Sequence, residues 1–177
     1  MAATQTTVAP PIDRAFAEDF GQRWIEAWNT HDAEAVLALM DQEIVYDDSA
    51  WPKTMRGHSD VREFMDSSWR AFPDLRFEIV DGPYVEGDAP RAAFYWKGYA
   101  THTGRIDPPG LEPTGKQIEM EGGDFHEYRD GKLVRLRIVF DVADTMRQLG
   151  VLPEPDTRGE RLIMRLSNLQ TRFRRRR

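Results

Sequence analysis

Four aromatic residues that recur every four positions near the start of the chain constrain its fold more than any other feature. They are Phe16, Phe20, Trp24 and Trp28. In a helix of 3.6 residues per turn these rings share one face, and the preceding Asp13 is suited to cap such a helix. A face this apolar is not stable in water. We therefore predict a helix over about residues 14–29 that other elements cover.

Two shorter helices are predicted before Pro73. Asp32 can cap a short helix, and the segment Glu43–Tyr46 after it has strand character. Ser59 or Asp60 can open a third helix, whose apolar residues follow helical spacing until Pro73 ends it.

After Pro73 the pattern changes to that of strands. Asp130-Gly131 is a hairpin signal between two alternating segments, which predicts antiparallel pairing. Gly122-Gly123 lies inside one segment and predicts a β-bulge there. The predicted strands cover residues 75–84, 92–102, 117–129 and 132–140, and a short helix over residues 141–149 follows them.

Helices followed by antiparallel strands predict an α+β fold. In this class the helices cover one face of a curved, cone-shaped antiparallel sheet, whose open end is suited to a small-molecule pocket. The 177 residues are enough for one domain. We predict a flexible N terminus over residues 1–13, an α+β barrel over 14–152, and a Pro-containing link with an Arg-rich helix over 153–177. The apolar stripe of this last helix is Leu162, Ile163, Leu166 and Leu169.

The charge distribution restricts the partners. The formal net charge of −6 divides into +7 from Thr157 onward, with eight Arg and one Glu, and −13 before it. An acidic body repels phosphate backbones, so RNA, an acidic partner or a membrane could only bind the arginines of the tail, Arg172 and residues 174–177. We expect these arginines to be solvated or to contact the acidic body, and predict neither a nucleic-acid nor a membrane partner.

Several classes of site are also excluded by the sequence. With no Cys, the chain has no thiol nucleophile and no Cys-based metal site. Its four His residues are scattered, so no metal site is predicted. No apolar run has the length of a membrane-spanning helix, and the first residues lack the features of a signal peptide. We therefore expect a cytoplasmic protein.

Six short motifs, in this order, are similar to those of one family. They are Trp28-Asn29-Thr30-His31-Asp32, Phe72-Pro73-Asp74-Leu75, the pair Thr101-His102-Thr103-Gly104 and Pro113-Thr114-Gly115-Lys116, and the pair Asp130-Gly131-Lys132 and Gln148-Leu149-Gly150. About residues 16–152 resemble a SnoaL-like polyketide cyclase of the nuclear-transport-factor-2-like superfamily, which also includes ketosteroid isomerases and limonene epoxide hydrolases. The resemblance implies a cystatin-like α+β barrel that pairs into a homodimer through its outer sheet face.

The resemblance also indicates catalytic residues. Asp124, His126 and Tyr128 share one strand face, which in the cyclases lies inside the cone. A pocket His stands at the position of Asp124 in the cyclases, and a protonated Asp that donates to an oxyanion stands there in the isomerases. Burial among aromatic rings would favour the neutral acid. The alternative is a structural Asp bonded to backbone amides. His126 can bond to Asp124 or a ligand and can titrate near neutrality.

Asp47 follows the first strand, where the isomerases place their general base. An Asp base at the pocket mouth and an acid on a far strand could together remove a proton beside a carbonyl group. Asp48 is the alternative base, because an alignment can slip by one residue. A solvated turn is the structural alternative for both.

Two residues depart from the family pattern. Trp24 stands where the isomerases have their oxyanion Tyr, and Ile138 stands where the cyclases and epoxide hydrolases have an essential Asp. Glu119 and Glu121 occupy positions of an expected Arg and Asp pair, which further disfavours an epoxide hydrolase.

Three functions remain open at this point. We favour a cofactor-independent enzyme, namely a cyclase, isomerase or carbon–carbon lyase, that does acid–base chemistry on a small apolar carbonyl or hydroxyl compound. The alternatives are a non-catalytic carrier or sensor, and an assembly module. Asp124 and His126 in mutual reach would favour the enzyme, and a wholly apolar pocket would favour the carrier. The predicted substrate-binding residues are Trp24, Tyr46, Trp51, Tyr99, His102, Tyr128 and Ile138.

Overall fold

The computed structural model describes residues 10–174, which form five helices and six strands. The helices are α1 Arg14–Asn29, α2 Ala33–Ala38, α3 Gly57–Ala71, α4 Val142–Gln148 and α5 Arg158–Arg174. The strands are β1 Met40–Asp48, β2 Met55–Arg56, β3 Arg76–Val85, β4 Arg91–Thr101, β5 Gln117–Arg129 and β6 Lys132–Phe140. Residues 1–9 of the predicted N-terminal segment and residues 175–177 of the Arg-rich run lie outside the described residues.

The helix caps follow the sequence closely. The Asp13 side chain accepts a hydrogen bond from the Phe16 amide, and the Asp32 side chain accepts one from the Ala35 amide. The third helix begins at Gly57, earlier than predicted. Asp60 instead accepts from the amide of Arg56, the residue before the helix, at 3.0 Å.

The six strands form one curved, unclosed sheet in the order β2-β1-β6-β5-β4-β3. The fold is α+β, as predicted. The sheet is mixed, however, because β1 pairs in parallel with β6. The four strands predicted after Pro73 pair antiparallel, as predicted, and the parallel pair involves β1, which precedes them in the chain. A parallel pair needs a long crossover, which α3 and strands β3 to β5 provide here.

The prediction of a β-bulge at Gly122-Gly123 was wrong. Both glycines pair in unbroken register with β4 and β6, and the irregularity of β5 lies between Glu127 and Tyr128. Gly122 is required for close packing instead. A Cβ atom on it would lie 2.5 Å from the Trp96 ring and 2.7 Å from the Val139 carbonyl oxygen.

The aromatic face of α1 packs into the concave side of the sheet. Phe20, Trp24 and Trp28 are buried, and the Phe20 ring meets that of Tyr128 edge-on at 4.9 Å. Burying such rings is the main contribution to stability of a fold like this. The main core therefore lies between α1 and the concave face of the sheet.

The last helix, α5, is not covered by the rest of the chain. Leu162, Ile163, Leu166 and Leu169 of its predicted stripe are each at least 44% exposed. Among residues 10–174, no helix combines the length and the apolar character needed to cross a membrane.

Candidate functional site

A cavity of about 130 Å³ lies between the concave face of the sheet and helices α1 and α3. Most of its lining is apolar, and the polar side chains are those of Tyr46, Asp48, Ser68 and Asp124. Its aromatic lining residues are Trp24, Trp28, Tyr46, Phe64, Phe72, Phe77, Trp96 and Phe140. The cavity has the size of one six-membered ring, since an apolar cavity of about 150 Å³ holds benzene.

Three adjacent strands place two carboxyl groups on either side of an isoleucine. Asp48 of β1 pairs with Ile138 of β6, and Ile138 pairs with Asp124 of β5. All three side chains line the cavity. Because neighbouring strands lie about 4.8 Å apart, the Cα atoms of Asp48 and Asp124 are about 10 Å apart. A ligand group above Ile138 can reach both carboxyl groups.

Asp124 is buried and is bound by nitrogen atoms on both sides. Its Oδ1 accepts a hydrogen bond from Trp96 Nε1 at 2.5 Å, and its Oδ2 lies 3.4 Å from His126 Nε2. An indole N–H can only donate, so Asp124 is an acceptor in this contact. The contacts of the Asp124 carboxyl group are therefore with the Trp96 and His126 side chains, and they involve neither backbone amides nor a bulge.

His126 lies behind Asp124, away from the cavity. Its Nδ1 is 2.8 Å from the Tyr128 hydroxyl, and its ring packs edge-on against Phe20 and Trp24. Burial, and then the charge of Asp124, raise the pKa of Tyr128, which stays a neutral phenol. A Tyr128 hydroxyl that donates to Nδ1 leaves Nε2–H directed at Asp124. The structure thus brings Asp124 and His126 together.

Asp48 is the carboxyl group of β1 that faces the cavity. Burial is the largest influence on it and raises its pKa to about 6; the hydrogen bond from the Ala50 amide opposes this, and the charge of Asp124 adds to it. The Ala50 amide donates to Asp48 Oδ1 at 2.8 Å, which leaves Oδ2 as the free oxygen.

Asp47, the predicted base, does not line the cavity. Its Oδ1 accepts from the Thr54 hydroxyl at 2.6 Å, and its Oδ2 lies 3.7 Å from Arg135 Nη2. The reason is strand alternation, which directs Ile44, Tyr46 and Asp48 inward and Asp47 outward. This alternation was the signal in the sequence that could have distinguished Asp48 from Asp47.

Tyr46 lines the cavity two residues before Asp48, on the same face of β1. Burial raises the pKa of its hydroxyl well above the usual value, and the charges of Asp48 and Asp124 raise it further. Tyr46 is therefore a neutral hydrogen-bond donor at any pH near neutrality.

The other predicted substrate-binding residues divide into two groups. Trp24 and Ile138 line the cavity, as Tyr46 does, whereas Trp51, Tyr99, His102 and Tyr128 do not.

Each of the four residues outside the cavity has other contacts. Trp51 packs against Phe64, and Tyr99 lies on the outer face, where its hydroxyl donates to Glu78 at 2.7 Å. His102 is buried against the loop at Thr114, and the hydroxyl of the buried Tyr128 contacts His126.

Of the lining residues outside the predicted substrate-binding set, Trp96 is the most important. The notable signal was its position on β4, because Trp96 and Phe94 alternate with outward residues and Trp96 pairs with Gly122, two residues from Asp124. Only the strand register shows that this indole reaches the carboxylate. In residues 10–174, no group of three His, Asp or Glu side chains is arranged to hold a metal ion.

Comparisons with known proteins identify the family and the fold. The model of the family described as SnoaL-like polyketide cyclase matches residues 18–149. No curated protein matches the sequence.

Three solved structures illustrate the similarity of fold. AclR, a candidate hydroxylase from Streptomyces galilaeus, is 24% identical, with 80% of this chain and 89% of that chain covered and a TM-score of 0.67. TsrD from Streptomyces laurentii is 22% identical, with 80% and 99% covered and a TM-score of 0.68. A protein of ketosteroid isomerase-like fold from Catenulispora acidiphila, in complex with trimethylamine, is 14% identical, with 75% and 92% covered and a TM-score of 0.63. At these identities the likeness concerns the fold alone.

Proposed function

Because the chain belongs to the SnoaL-like polyketide cyclase family, we propose that it is a cofactor-independent enzyme that removes a proton beside a carbonyl group of a small, mainly apolar compound. The observation that carries this proposal is the pair formed by Asp48 and Tyr46 in an aromatic cavity. Asp48 has a free carboxylate oxygen and a pKa of about 6, and Tyr46 is a neutral donor on the same face.

The proposed reaction begins with proton transfer to Asp48. Above pH 6 its carboxylate takes the proton from the carbon next to the carbonyl group, and the electron pair of the C–H bond moves onto the carbonyl oxygen. The Tyr46 hydroxyl donates a hydrogen bond to the enolate oxygen formed in this step. A base with a pKa near the working pH is suited to both take up and return the proton.

The fate of the enolate decides the overall reaction. Return of the proton to another carbon gives isomerisation, and attack on a second carbonyl group gives aldol-type cyclisation; the reverse of that attack cleaves a carbon–carbon bond. The cavity volume favours compounds of about one ring over larger polycyclic ones. A small ligand, trimethylamine, is also the one named for the Catenulispora protein.

In this proposal Asp124 binds a part of the substrate other than the enolate oxygen. Trp96 and His126 occupy its two oxygens from the protein side and orient it toward the cavity. The donor role that the sequence assigned to Asp124 passes to Tyr46.

A carrier of the same fold is the second candidate, and Ile138 is the observation that favours it. This side chain lies at the centre of the cavity wall between the two carboxyl groups, where it can transfer no proton. A carrier would bind the same compounds without exchanging their protons.

Deuterium exchange separates the two candidates. Cyclohexanone, which has one ring and acidic α-protons, is incubated with the protein in deuterated water at pH 7.5, and NMR follows the loss of the α-proton signal. We expect wild type and Asp47→Asn to exceed the buffer rate by at least tenfold, and Asp48→Asn to stay at the buffer rate. Mass spectrometry identifies ketones that the purified protein retains, and these ketones are then tested in the same assay. Exchange at the buffer rate with every retained ketone would refute the enzyme.

A further inference from the structure

We propose that the cavity binds a small apolar organic ammonium ion, whose nitrogen is held by Asp124 and whose hydrocarbon part lies among the aromatic rings. This inference deepens the proposed function. It rests on that function only for the statement that the ammonium compound is the substrate of the enzyme.

The charge of the cavity wall is the first argument. Asp48 and Asp124 both line it, and no Lys, Arg or His is among the described residues that do so. Among the residues that the structure describes, Asp124 is the charged side chain that acts on the Asp48 carboxyl, and its charge has the same sign. Buried charge is costly unless it is paired. On the cavity side, the described side chains leave the charges of Asp48 and Asp124 uncompensated. A cationic ligand would pair with these charges.

Arg135 and Lys97, two basic side chains of the strands that carry cavity-lining residues, lie on the other side of the sheet. Arg135 lies 3.7 Å from the outward-facing Asp47, and Lys97 lies 2.9 Å from Glu121 on the outer face. Strand alternation prevents these side chains from reaching the cavity. Within the described part of the chain, the positive charge on the cavity side would have to come from the ligand.

The aromatic wall is the second argument. Eight of the lining residues are aromatic, and Trp24, Trp28 and Trp96 are indoles, which bind cations over their faces more strongly than Phe or Tyr does. A purely apolar ligand would gain nothing from the two carboxylates. An apolar ammonium ion gains from the rings and from the charges.

Asp124 is better suited than Asp48 to hold the nitrogen. Trp96 Nε1 and His126 Nε2 fix its two oxygens. A carboxylate has about four acceptor positions, so each oxygen can still accept a bond from the ligand. Asp48 is then free to transfer protons at a carbon atom on the opposite side of Ile138.

Four titratable groups face this part of the cavity or the carboxylate behind it. Asp48 and Tyr46 line the cavity, and His126 and Tyr128 lie behind Asp124. A protonated His126 would itself compensate the charge of Asp124. The test is therefore done at pH 7.5 and repeated at pH 8.5, and the preference for the ammonium compound should be the same at both.

The test compares two probes of equal ring size. Isothermal titration calorimetry measures the binding of cyclohexylammonium and of cyclohexanol, which replaces the ammonium group by an uncharged hydroxyl. For the wild type at low salt we expect the ammonium compound to bind at least tenfold more tightly. Asp124→Asn should remove most of this preference and change cyclohexanol binding less than threefold. Asp47→Asn, a change of the same charge on the outer face, should keep the wild-type preference.

Equal affinities for the two probes in the wild type, or a full preference in a folded Asp124→Asn protein, would overturn the ammonium site. Thermal unfolding checks that each variant folds. The two proposals fail separately, because calorimetry needs no turnover. A protein that prefers cyclohexylammonium but exchanges no ketone protons has the ammonium site and lacks the proposed activity. A protein that exchanges ketone protons but binds both probes equally has the proposed activity and lacks the ammonium site.

Discussion

Asp47 and Asp48 show how one position along a strand decides the chemistry of a residue. Asp47 lies at the outer face beside Thr54 and Arg135, whereas Asp48 faces aromatic rings and has a pKa of about 6. The two residues have the same side chain, so their difference comes from strand alternation alone. For the same reason Asp47 is a control for every experiment on Asp48.

The raised pKa of Asp48 predicts a pH-dependent stability. Below about pH 4 the carboxyl group is protonated in both the folded and the unfolded chain. Between about pH 4 and pH 6 it ionises in the unfolded chain only, so its contribution to the free energy of unfolding falls as the pH rises and stays low above pH 6.

Asp48→Asn should therefore stabilise the protein at pH 7.5 by about 2 kcal/mol, after allowance for partial solvent exposure, and should have little effect at pH 3.5. Asn retains an oxygen to accept from the Ala50 amide. Urea unfolding of wild type, Asp48→Asn and Asp47→Asn at both pH values measures the differences. A loss of stability on Asp48→Asn at pH 7.5, or an equal gain at both pH values, would show that Asp48 is not destabilised by burial.

At the level of the strands, one glycine of β5 makes possible the contact that holds Asp124 in the site. Gly122 leaves room for the Trp96 ring, and Trp96 then donates to Asp124. Gly123 is the next residue, and a Cβ atom on it would find its nearest neighbour at 3.6 Å, an ordinary contact.

Gly122→Ala should therefore destabilise the fold and displace the indole from Asp124, whereas Gly123→Ala should be tolerated. We expect a loss of about 2–4 kcal/mol in the first variant and less than about 1 kcal/mol in the second. Thermal or urea unfolding gives the stabilities, and the Trp fluorescence spectrum reports the changed indole environment. Similar stabilities of the two variants would mean that Gly122 is not needed for the close packing of Trp96.

The same elements show what could be predicted from the sequence. The aromatic period predicted α1 over the residues where it is found, and Asp130-Gly131 predicted the β5–β6 hairpin, because both signals are local. The parallel pairing of β1 with β6 could not be predicted locally, since it joins segments that are distant in the chain. The contact between Trp96 and Asp124 likewise depends on the register of two strands.

The orientation of Asp48 is an intermediate case. Ile44 and Tyr46 are buried and predict that Asp48 faces inward, but the polar run that follows Tyr46 resembles a turn. The strand continues to Asp48 because it pairs with Ile138 of β6, which is again a distant contact. The carboxyl group of β1 that faces the cavity could thus be predicted only to within one residue, and the pairing with β6 determines which one it is.

On the scale of the whole molecule, the outer face of the sheet has an exposed apolar patch. Tyr84 pairs with Ala93 and Ala93 with Phe125, which places the three in one row across β3, β4 and β5. Tyr84 is 57% exposed, Phe125 52% and the nearby Val139 38%. Exposed patches of this kind, rimmed by charges of both signs, are typical of protein interfaces. We therefore propose that two copies of the chain pair through this face.

The homodimer predicts a specific sensitivity to Phe125. In a two-fold interface each residue of the patch meets the same patch of the other copy, so Phe125→Glu places a charge in the interface twice. We expect light scattering to give about twice 20.5 kDa for the wild type across a hundredfold dilution, and about 20.5 kDa for Phe125→Glu.

Two controls separate this interface from the C-terminal helix. Leu162→Glu makes the same kind of change on α5, where Leu162 is 58% exposed, and deletion of Arg174–Arg177 removes basic residues beyond the family match at residues 18–149. Both should remain dimeric and keep wild-type ketone exchange. A monomeric wild type at every concentration would reject the dimer. A dimer lost in Leu162→Glu and kept in Phe125→Glu would instead assign the contact between copies to α5, whose apolar stripe the rest of the described chain leaves uncovered.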